Sequence, residues 1–279
     1  MAEALGVEIF IIGNEILIGD IQDTNTHWLC REINRLGGHV ARATVLRDID
    51  EVIVGELRAA LERGAGVIIT SGGLGPTADD LTLAAVARAA GVKWQLHEQA
   101  RQMIRQRYDE LAGQGILAQG GLNPAREKMA WLPAGAIPLH NPVGTAPGVL
   151  LRSGGTTIIS LPGVPSELKG IFCSSLQPFL LKTFSGGISV MRTISVHCND
   201  ESLMEPVLSR VAHDHPGIYI KSLATTLGEM RDLDIILTAV GSDLSPLATQ
   251  LELAVNDLCS GLTALGIGHR EKEGHGDVA

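Results

Sequence analysis

Two adjacent aspartates follow a glycine-rich turn in the segment TSGGLGPTADDLT, which spans residues 70–82. A glycine-rich turn from a strand into a helix brings backbone N–H groups close to an anion such as a phosphate, and the Thr77 hydroxyl adds a donor. A carboxylate beside that anion costs about 4 kcal/mol at ~4 Å and an effective dielectric constant of about 20. A magnesium or manganese ion between carboxylate and phosphate oxygens reverses the sign of this interaction. We therefore predict a phosphate-binding loop in which Asp80 holds a metal ion.

The acidic residues also have a structural explanation. An acid in the first turn of a helix caps free N–H groups and complements the helix dipole, and this explanation is favoured for Asp79. Two more acids, Glu15 in IIGNEILIGD and Asp48 in VLRDID, follow the first and second apolar runs and belong at the same sheet edge as Asp80. Each of these two is either a turn or cap residue or a partner of Asp80 at the metal ion.

Positive charge near these segments is sparse. Arg126 and Lys128 in NPAREKMA, with Lys169 after LPGVPSE, are the candidates for offsetting negative charge on phosphoryl oxygens. Taken alone, each is better explained as a solvated surface cation. The glycine loop lacks both the Lys-Ser/Thr of a P-loop and the GxGxxG of a dinucleotide-binding turn, and the chain has no HExxH, GxSxG or CxxC. These absences argue against acyl-enzyme chemistry and against a zinc site.

The composition is typical of a globular protein without a nucleic-acid partner. The 279 residues are 45% hydrophobic and 19% charged, as in ordinary packed domains. A net charge of −9 and only 22 dispersed Lys and Arg residues argue against a nucleic-acid surface. The apolar run VEIFIIG, residues 7–13, is too short for a membrane span or a signal segment. We expect a cytoplasmic protein with no membrane partner.

Residues 1–184 alternate apolar runs with amphipathic segments. This pattern predicts βαβ units and an α/β domain with a mostly parallel sheet. Asn25 is expected to cap a helix, and another helix is expected near 79–90, directly after the glycine loop. The four glycines of residues 113–122 predict a flexible loop, which leaves open whether this segment closes over a ligand.

A second glycine-proline loop is expected at residues 162–166. It follows a predicted hairpin in NPVGTAPGVLLRSGGTTIISLPGVPSE that turns at residues 154–155. In an open α/β sheet, strand-to-helix loops gather at the carboxyl edge of the strands, where ligands bind. Loops 71–78 and 162–166 are therefore expected to meet at one ligand site.

Residues 185–265 predict a separate, smaller α+β domain in β-α-β-β-α order. Its last helix, near 244–265, repeats leucine and valine at spacings of three and four, so this stripe packs on a sheet or on a partner chain. Residues 266–279 have little to bury and are expected to be disordered.

Four segments, GNEILIGDIQDTN, TSGGLGPTADDLT, NPVGTAPGV and LPGVPSE, occur in this order along the chain. In sequence and separation they resemble the amino-terminal part of the CinA family of competence- and damage-inducible proteins, whose core is the molybdopterin-binding domain shared with MoaB, MogA and MoeA. The resemblance covers residues 7–170, and the module at 185–265 is similar to the small second domain of CinA-like proteins. The family's carboxy-terminal amidase domain has no room in this chain, so a stand-alone form is expected.

The resemblance implies a three-layer α/β/α fold, a homodimer, and a ligand pocket between the GGLGPTADD and LPGVP loops. It places Asp80 where the family has an acid before LT or VT. One departure is Asn14, which stands in GNE where GDE or GTE is expected, so Glu15 alone would supply a carboxylate there. The residues that the matching motifs place around the pocket are Asn25, Gly72, Gly73, Gly75, Pro76, Thr77, Asn141, Gly144, Thr145, Pro162, Gly163 and Pro165.

In CinA-like proteins this domain is associated with hydrolysis of ADP-ribose and similar compounds, with help from divalent metal ions and potassium. The resemblance therefore implies a pyrophosphatase that uses magnesium, manganese or cobalt together with potassium. Asp80, with Glu15 or Asp48, would position the metal ion, and Lys128 and Arg126 would offset phosphoryl charge. Two alternatives stay open. One is a molybdopterin-binding or adenylylating protein of molybdenum cofactor biosynthesis, and the other is a non-enzymatic nucleotide-binding partner protein.

Overall fold

The computed structural model describes residues 6–184, 188–198, 200–223, 233–241 and 243–272. This part of the chain forms two compact units. The first holds residues 6–34 and 38–182, and the second holds residues 35–37 and begins again at Thr183. Within the described ranges, no helix is both long and apolar enough to cross a lipid bilayer.

The first unit alternates strands and helices along the chain. Its strands are β1 Gly6–Ile12, β2 His39–Leu46, β3 Val67–Ser71, β4 Trp94–Leu96, β5 Trp131–Pro133, β6 Ile137–Leu139, β7 Gly148–Ser153 and β8 Thr156–Leu161. Its helices are α1 Asn14–Leu17, α2 Asn25–Arg35, α3 Asp50–Glu62, α4 Thr82–Ala89, α5 Glu98–Gly113, α6 Pro124–Lys128, α7 Pro165–Ile171 and α8 Gln177–Thr183, the last two joined by a π-helical turn at Phe172–Leu176.

Six of these strands form one mostly parallel sheet in the order β2-β1-β3-β8-β7-β6. β1 pairs in parallel with β2 and β3, and β3 pairs in parallel with β8, whereas β7 runs antiparallel to both β8 and β6. β3 is buried at all five positions. Strands buried on both faces need helices on both sides of the sheet. The predicted three-layer α/β/α fold is therefore confirmed.

The predicted hairpin is present as β7 and β8, with Ser153 paired to Thr156 across the turn. Two local expectations are corrected. α4 begins at Thr82 with Leu81 before it, so Asp79 and Asp80 lie in the preceding loop and not in the first helical turn. The cap of α2 is Asp23, whose carboxylate accepts the Thr26 N–H at 3.0 Å. Asn25 is therefore free to use its side chain elsewhere.

The segment 113–122 is held by both of its neighbouring helices. Arg126 of α6 donates to the carbonyl oxygens of Gln119, Gly120 and Gly121 at 3.2, 2.8 and 2.8 Å. Asp109 of α5 accepts the Gly121 N–H at 2.6 Å. The structure thus shows an anchored turn where the glycine content predicted a flexible loop.

The second unit is built on an antiparallel sheet in the order β10-β11-β9-β12. Its elements are β9 Ile188–Val196, a 3-10 turn Glu201–Leu203, α9 Glu205–Asp214, β10 Ile218–Leu223, β11 Leu233–Gly241, α10 Leu244–Ala264 and β12 His269–Glu271. The stripe of α10 packs in this unit's own core, where Leu251, Leu258 and Leu262 are buried with Ile235 and Leu237. A leucine stripe that covers its own sheet gives no argument for a dimer.

The segment expected to be disordered, residues 266–279, is partly placed. β12 lies within it and pairs with β9, His269 opposite Val196 and Glu271 opposite Ile194. Main-chain pairing to a sheet edge explains why so polar a segment is ordered. Residues 273–279 lie outside the described part of the chain.

Candidate functional site

A cleft of about 490 Å³ lies at the carboxyl ends of β1, β3 and β8 in the first unit. The loops that follow these three strands form its walls, as expected for an open α/β sheet. The following predicted site residues line the cleft: Glu15, Asp48, Asp80, Asn25, Gly72, Gly73, Gly75, Pro76, Thr145, Pro162, Gly163 and Pro165. The glycine loop and the 162–166 loop are thus brought together, whereas Thr77, Arg126, Lys128, Asn141 and Gly144 do not line the cleft.

Every charged residue that lines the cleft is acidic. The six carboxylates are Glu15, Asp23, Asp48, Asp79, Asp80 and Glu167, and no Lys, Arg or His is among the lining residues. An anionic ligand therefore meets negative charge on the side chains here. Favourable contacts with such a ligand have to come from backbone N–H groups, from neutral hydroxyl or amide side chains, or from a bound cation.

Asp48 is held by a hydrogen bond and has a shifted pKa. It accepts the Asn14 N–H at 2.7 Å. Burial raises the pKa of Asp48, the Asn14 hydrogen bond opposes that rise, and the charges of Glu15 and Asp79 raise the pKa further. Glu15 and Asp79 are thus close enough to Asp48 for their negative charges to repel that of Asp48.

Asp80 shapes the glycine loop. Its Oδ2 accepts from the Thr77 N–H at 2.8 Å and from the Thr77 hydroxyl at 2.6 Å. The same hydroxyl also donates to Asp79, and this hydrogen bond is the main cause of a lowered pKa at Asp79. The Thr77 hydroxyl is therefore used within the loop, which explains its absence from the cleft lining.

Lys128 ties this loop to α6. Its ammonium group donates to the carbonyl oxygen of Asp80 at 2.9 Å and to that of Thr77. Both acceptors are main-chain atoms, so Lys128 fixes the loop from outside the cleft. The structure assigns it a positioning contact that sequence reasoning did not foresee.

The turn after β3 requires glycine for steric reasons. Gly72 has φ 110° and Gly73 has φ 68°. A Cβ on Gly72 would lie 2.0 Å from the carbonyl oxygen of Ile12, and one on Gly73 would lie 2.2 Å from Thr82 Oγ1. The N–H groups of Gly73, Leu74 and Gly75 make no hydrogen bond within the residues that the structure describes. All three residues line the cleft.

Asn25 connects the two loops beneath the cleft. Its Nδ2 donates to Ser71 Oγ at 3.1 Å, at the end of β3, and to the carbonyl oxygen of Gly163 at 2.7 Å, after β8. Ser71 Oγ in turn donates to the carbonyl oxygen of Pro162 at 3.1 Å. The side chain that was expected to cap a helix instead holds the site together.

The remaining predicted residues support neighbouring backbone. The Arg126 guanidinium lies 3.9 Å from the centre of the Tyr108 ring and is used by the carbonyl groups of segment 113–122. Asn141 is buried and donates to Glu167 at 2.6 Å while accepting the Gly144 N–H at 2.8 Å. Gly144 is needed because a Cβ there would lie 2.0 Å from Glu167 Oε2. Asn141 and Gly144 therefore orient Glu167, which does line the cleft.

A model for the family described as "Probable molybdopterin binding domain" matches residues 8–182, and these residues carry every element of the cleft. The chain belongs to this family. The resemblance on which the expected fold was based is thus confirmed for the first unit of this family member.

Sequence relatives match a larger share of the chain than the family model does. A protein from Pyrobaculum arsenaticum is 40% identical over 219 residues, which cover 77% of this chain and 78% of that one. A protein from Caldivirga maquilingensis is 34% identical over 254 residues, or 90% of this chain and 95% of that one. The family member described here therefore shares its second unit as well with at least one relative.

Among solved structures, the protein CinA with unknown function from Thermoplasma acidophilum is similar to this chain. The two are 35% identical, the TM-score is 0.57, and the match covers 63% of this chain and 98% of the other. The chain is accordingly CinA-like in its molybdopterin-binding-type domain.

Glu167 and Ser71 line the cleft of this family member but were not predicted as site residues. Glu167 ends the LPGVPSE motif, which was quoted only for its glycine-proline loop. Ser71 gave no signal, because a serine at the end of a buried strand is unremarkable until its hydrogen bonds are known. The apolar lining residues Ile21 and Val164 are 56% and 51% exposed.

Proposed function

We propose that the protein is a metal-dependent pyrophosphatase that hydrolyses ADP-ribose or a related dinucleotide in this cleft. The observation that carries the proposal is the combination of six lining carboxylates with three unpaired N–H groups in the glycine loop. Free N–H groups favour a phosphate, and the carboxylates disfavour it unless a cation lies between them. A diphosphate bound together with a divalent cation gives the N–H groups a phosphate acceptor and gives the carboxylates a cation.

The donor set fits a hard cation. The lining acids and main-chain carbonyls offer oxygen ligands, which magnesium, manganese and cobalt accept and which magnesium prefers. In the described residues, no three His, Cys, Asp or Glu side chains converge into a complete metal site. Magnesium is commonly held by one or two carboxylates together with phosphate oxygens of the substrate. We assign Asp80 and Glu15 as these carboxylates, with Asp48 beside them.

When bound, the cation would neutralise charge on the phosphoryl oxygens of the substrate. The residues of the chain then have separate roles. The N–H groups of Gly73, Leu74 and Gly75 hold a phosphate and stabilise the charge that develops on it. Water attacks one phosphorus atom, the bridging P–O bond breaks, and ADP-ribose yields AMP and ribose 5-phosphate. No covalent intermediate with the protein is needed.

The roles of Lys128 and Arg126 differ from those expected from the sequence. Both were candidates for offsetting phosphoryl charge, but neither lines the cleft. Lys128 fixes the loop that carries Asp80, and Arg126 fixes segment 113–122. We therefore assign them positioning roles.

The second candidate function is molybdopterin binding or adenylylation in cofactor biosynthesis. The observation in its favour is the family description of residues 8–182 as a probable molybdopterin binding domain. A pterin with its phosphate would use the same glycine loop and the same apolar lining. A non-enzymatic nucleotide-binding role is the third candidate, and turnover separates it from the first.

The test is AMP release from ADP-ribose, FAD and NADH by the full chain, with magnesium, manganese or cobalt and with or without potassium. We expect the wild type to require a divalent ion. Asp80→Asn should lower kcat at least about a hundredfold, because it removes a carboxylate from the cation. Glu15→Gln should raise the metal concentration needed for half-maximal rate.

Glu62→Gln is the matched control, because Glu62 is exposed on α3 and does not line the cleft. It should behave as the wild type. A thermal melt of each variant shows whether a loss of rate reflects unfolding, since Asp80 also organises the glycine loop. Absence of metal-dependent release from all three substrates by folded wild type would overturn the pyrophosphatase proposal and leave pterin binding as the function to measure.

A further inference from the structure

The orientation of the Asn25 side chain is fixed by its surroundings. Asn25 is only 6% exposed and lines the cleft. Its Nδ2 donates to the carbonyl oxygen of Gly163, which can only accept. Its other acceptor, Ser71 Oγ, has its own proton engaged by the carbonyl oxygen of Pro162. Exchanging the oxygen and nitrogen of the amide would therefore place two acceptors against each other at Gly163.

This fixed orientation leaves the other half of the amide without a partner. Asn25 Oδ1 is buried and accepts no hydrogen bond within the described residues. The other two buried side-chain atoms in this state, on Thr70 and Asp234, do not belong to residues that line the cleft. Buried acceptors without a donor are rare in native proteins and point to a missing partner.

The chemistry of that partner follows from what surrounds Asn25. Ionised carboxylates, the only charged groups of the cleft lining, cannot donate a hydrogen bond. A phosphate dianion cannot donate either, and a hard cation prefers the carboxylates. Among the groups that a nucleotide ligand offers, a neutral donor remains as the partner of Asn25 Oδ1. A sugar hydroxyl fits best, because it donates to Oδ1 and still accepts a second hydrogen bond from another group.

We propose that Asn25 determines specificity by accepting a hydrogen bond from a ribose hydroxyl of the nucleotide. The inference deepens the proposed function and rests on it in one respect, that the ligand is a ribose phosphate compound. A site built to bond a hydroxyl rejects the analogue that lacks it, because the buried acceptor is then left unpaired.

The test measures binding of product-like ligands that contain no phosphoanhydride and are not turned over. Calorimetric titrations of the full chain, with magnesium present, use AMP, 2′-deoxy-AMP, 3′-deoxy-AMP, ribose 5-phosphate and 2-deoxyribose 5-phosphate. Purine riboside monophosphate, which lacks the adenine amino group, tests donors on the base. We expect one deoxy analogue to bind the wild type about tenfold to a hundredfold more weakly than its parent.

The variant Asn25→Leu should bind the parent ligand more weakly and should no longer distinguish it from that deoxy analogue. Asn34→Leu is the matched control on the same helix, because Asn34 is exposed and donates to the carbonyl oxygen of Cys30 at 2.8 Å. It should keep the wild-type ratio. The wild-type ligand series stands by itself if Asn25→Leu does not fold.

Four results would overturn the inference: equal binding of all deoxy analogues to the wild type, an unchanged ratio in folded Asn25→Leu, discrimination only against the ligand without the amino group, or no binding of any of these ligands. Hydroxyl discrimination without ADP-ribose hydrolysis would remove the pyrophosphatase proposal and keep Asn25 in its assigned role. Hydrolysis of ADP-ribose without discrimination between hydroxyl and deoxy ligands would keep the pyrophosphatase proposal and remove the role assigned to Asn25.

Discussion

At the scale of single residues, the ionised side chain of Asp48 lowers the stability of the fold. Burial and the charges of Glu15 and Asp79 hold the pKa of Asp48 above its ordinary value. A carboxyl whose pKa is higher in the folded state binds more protons there than in the unfolded state, so stability falls as pH rises from the ordinary value through the raised one. At a pH above both the ordinary pKa and the raised pKa of Asp48, the full loss of unfolding free energy remains. The charged form of Asp48 therefore destabilises the fold at neutral pH.

Asp48→Asn is accordingly expected to raise Tm at pH 7, by about 1–3 °C for a partly exposed group. The amide oxygen of the substituted side chain would still accept the Asn14 N–H, so the hydrogen bond is kept. The gain should disappear below the ordinary carboxyl pKa, where both proteins are neutral at this position. Calorimetric melts at pH 7 and at a pH well below the ordinary carboxyl pKa measure it, with Glu62→Gln for comparison. A lower Tm for Asp48→Asn at pH 7 would contradict this account.

At the scale of the elements, the turn between β3 and α4 depends on how closely two backbones approach. A Cβ on Gly72 would meet the carbonyl oxygen of Ile12, a main-chain atom of β1 that cannot move without disturbing the sheet. Gly91, after α4, also has a positive φ, 67°, but no atom lies within 4 Å of the position that a Cβ would take there. A substitution at Gly91 therefore measures the cost of the left-handed backbone alone, and a substitution at Gly72 measures that cost together with steric overlap.

Gly91→Ala should cost about 1–2 kcal/mol of unfolding free energy, the penalty of a left-handed conformation for a residue with a side chain. Gly72→Ala should cost at least about 3 kcal/mol, because overlap with main chain is added to that penalty. Urea denaturation of both variants measures the difference. Equal losses would mean that the glycine turn can shift away from β1.

The sequence predicted the longer strands of the first unit and not its short ones. β1, β3 and the β7–β8 hairpin have long apolar runs or a Gly-Gly turn, and the two glycine-proline loops were expected to meet where the structure places them. β4, β5 and β6 have three residues each and are too short to show any periodicity. The start of α4 was misplaced because an acid before a helix gives the same sequence pattern in two cases. It either accepts a hydrogen bond from the first turn of the helix or, as Asp80 does, accepts one from its own loop.

Side-chain partners were harder to predict than elements. Asn25 was expected to cap α2, since asparagine before an apolar helix usually does so. Its actual partners, Ser71 and Gly163, are 46 and 138 residues away in sequence. A pattern within a short stretch of sequence cannot indicate a hydrogen-bond partner so far along the chain. For the same reason, the sequence suggested Arg126 and Lys128 as ligand contacts, whereas the structure engages both with main-chain carbonyl groups.

At the scale of the whole molecule, both the charge of the chain and its division into two units bear on the proposed chemistry. The net charge of −9 has the same sign as the cleft lining, so neither attracts a free phosphate compound. All lining residues belong to the first unit. The second unit has its own hydrophobic cluster, built from β9–β11, α9 and α10. The proposed chemistry therefore does not draw on any residue of the second unit's core.

Leu258→Ala tests this separation. Leu258 is fully buried in the second unit's cluster, so its truncation should cost about 2–5 kcal/mol through lost transfer energy and a residual cavity. Leu253, on the same helix and 55% exposed, provides the control, and Leu253→Ala should stay within about 0.5 kcal/mol of the wild type. Calorimetry of the full chain should show a transition that moves down only in Leu258→Ala. The rate of AMP release, measured below that transition, should be the same in all three proteins, and a rate that falls with the second unit still folded would show that the cleft depends on that unit's packing.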